Sequence, residues 1–216
     1  QADLHEELCA ALGIDRVHIL AHDYGDTVAQ ELIARYADRR SRRESGLAIS
    51  SCCFLNGGLF PEFHRPRLIQ RLLASPAGPF ISRLSGERQF RRSFSQVFGP
   101  QTQPSPDEMR AFWELLSYNQ GQRNMHKLIG YMRERRQFET RWTGVLLRPV
   151  IPMRLIDGPA DPVSGRHLAD HFRDVVPGAA VVVLPDAIGH YPQVEAPEAT
   201  LQHAVSFFQP LLALHV

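Results

Sequence analysis

The chain has 216 residues, of which 44% are hydrophobic and 22% charged, a composition typical of soluble globular proteins. This length is enough for one α/β domain with a small insertion, and no apolar run reaches the ~18 residues that a transmembrane helix needs. Three cysteines, two of them adjacent at Cys52 and Cys53, are too few for a disulfide framework, so we expect a reducing, cytoplasmic compartment.

The net charge of +1 conceals two parts of opposite sign. Residues 58–148 carry 15 Lys and Arg against 7 Asp and Glu, and the rest of the chain carries 9 against 16. The simplest interpretation is a helical segment with solvated arginines. The alternative is a segment that attracts an anionic substrate or a membrane surface. No nucleic-acid-binding motif accompanies the charge, so we expect no nucleic-acid partner.

Strands and helices alternate in the first part of the chain, in the order helix 2–12, buried strand 17–21, helix 27–37 and buried strand 47–55. The alternation resumes later as strand 151–156, helix 164–175, strand 180–184 and helix 197–213. Residues 58–148 contain no clear strand and have helical periodicity, notably over 107–118 and 122–138. This order predicts an α/β fold, with a parallel sheet and flanking helices in residues 1–57 and 149–216 and a helical cap in residues 58–148.

The turn after the first strand carries a candidate nucleophile. Residues 21–25, Ala-His-Asp-Tyr-Gly, fit the pattern small-x-nucleophile-x-small, because a tight strand-to-helix bend needs small residues on either side of the central side chain. The N-terminus of the next helix favours negative charge, and the Tyr24 N–H would be an oxyanion donor. Asp23 could instead cap that helix, but Asp26 is the better capping candidate, which leaves Asp23 free to act as the nucleophile.

Two later loops carry a candidate acid and base. Asp161 follows the strand 151–156, and His190 follows the strand 180–184. The order nucleophile, acid, histidine, each after a strand, is the order that the α/β-hydrolase triad requires. Asp157 is a rival acid, but Asp161 lies further out on its loop, where a side chain can reach across to His190. The alternative is a turn aspartate and a loop histidine with no catalytic role.

Five segments extend this pattern over the whole chain: HDYGDTVAQELIARY, LNGGLFPEFHRP, VFGP, DGPADPV and GHYPQVEAPE. With them, the chain resembles the mesoderm-specific-transcript branch of the α/β-hydrolases, beside epoxide hydrolases and haloalkane dehalogenases. In that group the elbow aspartate attacks carbon, which implies Asp23 as nucleophile, Asp161 as acid and His190 as base. Members normally begin with several strands and a His-Gly loop that supplies a second oxyanion donor. Because neither precedes the helix 2–12, we expect an N-terminally truncated chain that is poorly active alone.

A carboxylate nucleophile restricts the chemistry. Its attack on a carbon that bears an epoxide oxygen or a halide gives an alkyl ester that water can cleave, whereas its attack on an ester carbonyl would give a mixed anhydride. Epoxide opening requires a proton donor, commonly a cap tyrosine in the related enzymes; Tyr131 is the first candidate and Tyr118 the second, although each could simply pack in the cap core. Dehalogenases usually place Trp where Tyr24 stands here, but Trp113 or Trp142 could supply a halide donor.

The sequence therefore predicts an epoxide-hydrolase-like enzyme that acts on an apolar small molecule with an electrophilic carbon. A haloalkane dehalogenase-like hydrolase and a catalytically inactive binding or scaffold protein remain alternatives. No phosphate loop or dinucleotide fingerprint appears, so no cofactor is implied. His167 and His171 have zinc-pair spacing but no third ligand, so we interpret them as surface histidines. His18 is interpreted as a core residue, and His22 and the segment 64–66 (His-Arg-Pro) receive no role.

Overall fold

The computed structural model describes residues 1–213, so residues 214–216 of the predicted core lie outside the described chain. Its single sheet has four parallel strands in the order β1 (Arg16–Ala21), β2 (Ala48–Phe54), β3 (Met153–Asp157) and β4 (Ala180–Val183). Five helices alternate with these strands or follow them: α1 (Ala2–Ala11), α2 (Tyr24–Arg42), α10 (Arg166–Val175), α11 (Pro192–Glu195) and α12 (Pro197–Leu212). The predicted parallel sheet with flanking helices is confirmed.

Every regular element between β2 and β3 is helical, as the sequence predicts. The α-helices are α3 (Leu68–Leu73), α4 (Gly78–Leu84), α5 (Glu87–Phe94), α6 (Pro106–Ser117), α7 (Met125–Leu128), α8 (Tyr131–Gln137) and α9 (Glu139–Leu147), and the segments Ser95–Val97 and Tyr118–Asn124 are 3₁₀-helical. We call residues 58–148 the helical insertion. The helical periodicity over 122–138 corresponds to three short segments, the end of the second 3₁₀ segment, α7 and α8, with Gly130, a poor helix former, at the last break.

The two central strands separate two apolar cores. Cys52 packs with α2 and α10 on one face of the sheet, and its neighbour Cys53 packs with α12 on the other. This placement agrees with the alternation of side chains along a strand. The prediction that β1 is a buried strand was wrong: β1 has only β2 as a neighbour in the described sheet, and its Leu20 is 53% exposed.

Helix α2 holds both ends of the helical insertion against the sheet. The fully buried Gln30 donates from Nε2 to the carbonyl of Leu59 at 3.0 Å and to that of Trp142 at 3.1 Å. The next residue, Glu31, accepts from Trp142 Nε1 at 2.7 Å and from Arg141 Nε at 2.9 Å. Because buried carbonyls need donors, Gln30 fixes where the insertion leaves and rejoins the core.

We expect Gln30→Leu to destabilise the fold, since it would leave the carbonyl of Leu59 without its Gln30 donor and would remove the side-chain bond to Trp142, whose carbonyl lies within helix α9. The loss should cost roughly 1–3 kcal/mol of unfolding free energy, measurable by urea unfolding. The matched control is Gln137→Leu at the exposed end of α8, which should change stability by less than about 0.5 kcal/mol. Equal stability of the two variants would contradict this role of Gln30.

Candidate active site

Asp23 occupies a strained turn between β1 and α2. Its backbone has φ 51° and ψ −110°, a conformation that non-glycine residues rarely adopt and that tertiary contacts must maintain. The backbone N–H of Asp23 donates to the carbonyl of Asn56 at 3.0 Å, which ties the turn to the end of β2. The Asp23 side chain is 37% exposed, so a small molecule can reach the carboxylate.

The prediction that Asp26 caps α2 was wrong. Both carboxylate oxygens of Asp26 are buried without a hydrogen-bond partner, and Oδ2 lies where a Cβ on Gly57 would approach it to 2.2 Å. Asp26 therefore faces the loop after β2 and not the free N–H groups of the helix. Burial, and next the charge of Asp23, raise the pKa of Asp26 well above its ordinary value, which favours the protonated carboxyl group.

The three residues predicted as nucleophile, acid and base lie together. His190 Nδ1 donates to Asp161 Oδ2 at 2.7 Å, and His190 Nε2 lies 3.8 Å from Asp23 Oδ2. Both His190 and Asp161 are buried. The imidazole thus stands between two carboxylates, and only one of them is open to the pocket.

Asp161 is surrounded by hydrogen-bond donors. Its Oδ1 accepts from the backbone N–H of Val163 at 2.8 Å, and its Oδ2 accepts from the Ser164 hydroxyl at 2.7 Å and from Asn56 Nδ2 at 3.2 Å. Burial alone would raise the pKa of Asp161, but the charge of His190 and these donors outweigh it and hold the pKa below its ordinary value. The carboxyl group is therefore anionic although it is buried.

Asp157, the rival acid, has a different environment. It lies at the end of β3, where Oδ1 accepts from Asn56 Nδ2 at 3.2 Å and Oδ2 has no partner. Burial and then the charge of Asp161 raise the pKa of Asp157 to about 8, so it holds its proton at neutral pH. The geometry favours Asp161 as the partner of His190.

The charges of His190 and Asp23 stabilise each other. Burial opposes the cationic imidazole, but the carboxylate of Asp161, followed by that of Asp23, raises the pKa of His190 well above its ordinary value. Burial likewise opposes the Asp23 anion, yet the contact with His190 lowers the pKa of Asp23 strongly. The site at rest therefore holds an imidazolium between two carboxylates.

A cavity of about 330 Å³ opens over Asp23 and His190. Its wall is mostly apolar and comes mainly from the helical insertion, including Ile69, Leu73, Phe90, Phe94, Leu128 and Ile129. Tyr24 lies beside the nucleophile, and as the first residue of α2 its backbone N–H has no acceptor within the helix. An apolar molecule bound here would meet the Asp23 carboxylate at the base of the cavity.

Among the side chains predicted as proton or halide donors, Tyr131 is the one that lines this cavity. Its ring packs against that of Tyr24 with centroids 4.8 Å apart, and burial raises the pKa of its phenol. The prediction of Tyr118 was wrong, because this side chain is 74% exposed and lies outside the cavity. The halide-donor candidates are also elsewhere: Trp142 donates to Glu31, and Trp113 packs on Phe90 away from Asp23.

Sequence reasoning missed the residues that organise the histidine loop. Glu195 accepts from the backbone N–H groups of Gly99 at 2.8 Å, Gly189 at 2.7 Å and Tyr191 at 2.9 Å, so one carboxylate joins the insertion to this loop. Tyr191 also lines the cavity, with its ring 5.1 Å from that of His190. Both residues belong to the GHYPQVEAPE segment, where the adjacency to His190 was an available signal.

Four other histidines make contacts within the fold. His22 Nε2 donates to the carbonyl of His190 at 2.8 Å, and burial, with a smaller effect from the charge of His190, lowers the pKa of His22 to about 4. His167 donates to the carbonyl of Phe63, and His171 stacks on the Phe63 ring at 3.8 Å. His18 Nδ1 lies 2.7 Å from the Ser51 hydroxyl. Over residues 1–213 we find no group of three or more His, Cys, Asp or Glu side chains that could hold a metal.

A parallel sheet with a strained turn after one strand and functional side chains on the loops after two others defines an α/β hydrolase. The model of the alpha/beta hydrolase family matches residues 1–203, and the chain belongs to this family. The chain is thus a member of the α/β-hydrolase superfamily. In the part of the chain that the structure describes, no helix combines the length and hydropathy needed to cross a membrane.

Two curated relatives have the same level of identity. The mouse mesoderm-specific transcript protein is 40% identical over 212 residues, which are 96% of this chain but 62% of that protein. The putative hydrolase LipZ of Mycobacterium tuberculosis H37Rv is 40% identical over 206 residues, 95% of this chain and 70% of that protein.

Solved structures share the fold at lower identity. A haloalkane dehalogenase variant from Bradyrhizobium elkanii has a TM-score of 0.75 at 20% identity, covering 100% of this chain and 74% of its own. The epoxide hydrolase CorEH has a TM-score of 0.72 at 18% identity, covering 97% and 74%.

We expect Asp157→Asn to remove a pH-dependent loss of stability. In the wild type the folded state keeps the Asp157 proton up to about pH 8, whereas the unfolded chain releases it near ~4, so stability falls as pH rises between these values. Asparagine imitates the neutral carboxyl group and has no such penalty. The melting temperature of the variant relative to the wild type should therefore rise from pH 5 to pH 9.

The matched control for this measurement is Asp15→Asn, at an exposed position. The difference in melting temperature between Asp15→Asn and the wild type should stay nearly constant between pH 5 and pH 9. A constant difference for Asp157→Asn as well would show that Asp157 is ionised in the fold.

Proposed function

We propose that the protein is an epoxide-hydrolase-like enzyme that works through an alkyl ester on Asp23. The observation that carries the proposal is the reach of His190 Nε2 to within 3.8 Å of the Asp23 carboxylate while Nδ1 is held by Asp161. An imidazole oriented in this way can activate a water next to a carboxylate nucleophile. We further propose that residues 58–148 act as the cap, since they supply most of the apolar cavity wall.

In the first step, a carboxylate oxygen of Asp23 attacks an epoxide carbon and the carbon–oxygen bond of the ring breaks. The departing alkoxide takes the phenolic proton of Tyr131. Tyr131 suits this role because it lines the cavity and because burial raises the pKa of its phenol, which keeps the proton in place until the ring opens. The product of the step is a hydroxyalkyl ester of Asp23.

In the second step, the ester no longer supplies the Asp23 charge that favours the resting imidazolium, so His190 releases that proton to solvent. His190 Nε2 then takes a proton from water, and the hydroxide attacks the ester carbonyl of Asp23. The negative charge that forms on oxygen is stabilised by the Tyr24 N–H at the start of α2. When the intermediate collapses, the bond to the diol oxygen breaks and the imidazolium returns its proton to that oxygen. The new Asp23 carboxyl group gives its proton to the Tyr131 phenolate, so that Asp23 is a carboxylate and Tyr131 a phenol again. No cofactor takes part in either step.

The cavity favours an epoxide over a haloalkane. A halide leaving group needs N–H donors, and neither Trp113 nor Trp142 lines the cavity, whereas a phenol from Tyr131 does. The mostly apolar wall fits an apolar small molecule with one electrophilic carbon. A binding protein without activity is the remaining alternative, and the next experiment distinguishes it.

We expect His190→Gln to trap the ester, since the first step needs the Asp23 carboxylate and the Tyr131 phenol but no base, whereas the second step needs the base. After incubation with a panel of terminal and internal epoxides, the intact mass of the variant should increase by one epoxide. In heavy-oxygen water, a single turnover of the wild type should give a diol whose new oxygen comes from Asp23. The control His190→Gln combined with Asp23→Asn should gain no mass. No adduct with any epoxide would favour the binding protein.

We expect Tyr131→Phe to slow ester formation from an epoxide by about 100-fold, because the alkoxide then has no positioned proton donor. A haloalkane probe should be unaffected by this change, since halide leaves without a proton. Tyr118→Phe, the same substitution at an exposed position of the insertion, is the control and should behave as the wild type. The measurement is the rate of adduct formation in the His190→Gln background. Equal rates for the two tyrosine variants would exclude Tyr131 as the donor.

A further inference from the structure

A buried arginine from the helical insertion lies behind the nucleophile turn. Arg135, on α8, is 3% exposed; its Nε donates to the Thr27 hydroxyl at 2.8 Å, and its Nη1 donates to His64 Nδ1 at 3.3 Å. Its Nη2 is buried without a hydrogen-bond partner. Within residues 1–213, no carboxylate forms a salt bridge with this guanidinium. Arg135 is therefore a buried cation whose direct partners are neutral.

The surrounding residues hold the guanidinium close to the site. A Cβ on Gly58 would lie 1.8 Å from Nη1, so only glycine allows this approach. The guanidinium carbon lies 4.6 Å from the centroid of the Tyr131 ring, which in turn packs on Tyr24. Thr27 belongs to the first turn of α2, the helix that begins directly after Asp23. The charge is thus placed behind the aromatic residues that flank the nucleophile.

Burying an unpaired cation costs several kcal/mol, so a nearby anion is expected to balance it. Two carboxyl groups feel the charge of Arg135, those of Asp23 and Asp26. Burial and then the charge of Asp23 raise the pKa of Asp26 and so favour its neutral form. Asp23, whose pKa is lowered by His190 against the effect of burial and further by Arg135, is therefore the anion that balances the guanidinium.

We propose that Arg135 is a positioning residue whose charge acts on Asp23 and favours hydrolysis of the alkyl ester over its formation. This inference rests on the proposed function. Ester formation consumes the negative charge of Asp23 and leaves Arg135 without its counter-anion in a buried environment. Attack by hydroxide restores the charge, first on the tetrahedral oxygen and then on the free carboxylate. Arg135 thus stabilises every state after the ester relative to the ester itself.

Removal of this charge should change the two steps in opposite directions. In Arg135→Met, hydrolysis of the ester should slow by about tenfold or more, since the developing anion loses a nearby cation. Ester formation should be unchanged or faster, because the Asp23 carboxylate is less stabilised. The ester, transient in the wild type, should therefore accumulate during turnover. Arg135→Lys, which keeps the charge, should restore much of the wild-type behaviour.

The experiment is a single-turnover reaction with an epoxide that alkylates His190→Gln, with the ester followed by intact mass and the diol by chromatography. The matched control is Arg136→Met, the same substitution at the next, exposed position of α8. Arg135→Met is expected to fold, because an apolar side chain in place of a buried charge is often tolerated. A second variant, Arg135→Ala, is assayed with millimolar guanidinium or with urea, its neutral analogue; only guanidinium should restore hydrolysis.

Accumulated ester in Arg135→Met, and not in Arg136→Met, is the supporting result. Three results would overturn the inference and leave the proposed function intact. The first is that Arg135→Met forms and hydrolyses the ester at the wild-type rates, and the second is that both steps slow equally. The third is that urea and guanidinium rescue Arg135→Ala equally. Absence of ester in every protein, His190→Gln included, would overturn the proposed function and this inference with it.

Discussion

The site depends on the buried contact between Asp161 and His190, because a carboxylate removed from water stays ionised only when donors surround it. Asn56, in the loop that follows β2, supplies one of these donors to Asp161. Its amide donates to Asp161, Asp157 and the carbonyl of Gly158, and its Oδ1 accepts from the backbone N–H of Gly158 at 2.7 Å. The loop after β2 thereby fixes the loop after β3. The backbone carbonyl of Asn56 also accepts from the Asp23 N–H. Asn56 therefore links the turn that carries Asp23 to the loop that carries Asp161.

The histidine loop reaches the same place by close backbone packing. The His190 N–H donates to the carbonyl of Val97 at 2.9 Å, and a Cβ on Gly189 would lie 2.6 Å from that carbonyl oxygen. A Cβ on Gly99 would lie 1.6 Å from the carbonyl oxygen of Ala187. A side chain at either Gly99 or Gly189 would clash with the backbone of the opposite segment. The backbone N–H groups of both glycines donate to the Glu195 carboxylate, which joins the two segments. The insertion is therefore part of the site that it covers.

The sequence predicted the fold and the convergence of three side chains because both follow from short-range rules. Alternating strands and helices place the loops after β1, β3 and β4 at one edge of the sheet, so Asp23, Asp161 and His190 meet there. The direction in which a helix of the insertion faces is set by tertiary packing, and no periodicity encodes it. The sequence ranked Tyr131 before Tyr118 but kept both as candidates, and packing decides between them, since Tyr131 is buried and Tyr118 is exposed. Asp26 failed as a cap for the same reason, since the packing of Gly57 decides its environment.

The excess positive charge of the insertion bears on the proposed mechanism through the few arginines that reach the site. Most of its excess arginines are exposed or pair with acidic residues, as Arg141 does with Glu31. Arg67 lines the cavity, and Arg135 is the arginine of the insertion that is fully buried beside the site. There the anions Asp23 and Asp161 face the cations His190 and Arg135, and the four charges balance. An ester on Asp23 would remove one anion and leave a net positive charge. In the proposed mechanism that imbalance would lower the pKa of His190, so alkylation of Asp23 would itself favour the neutral imidazole that accepts a proton from water.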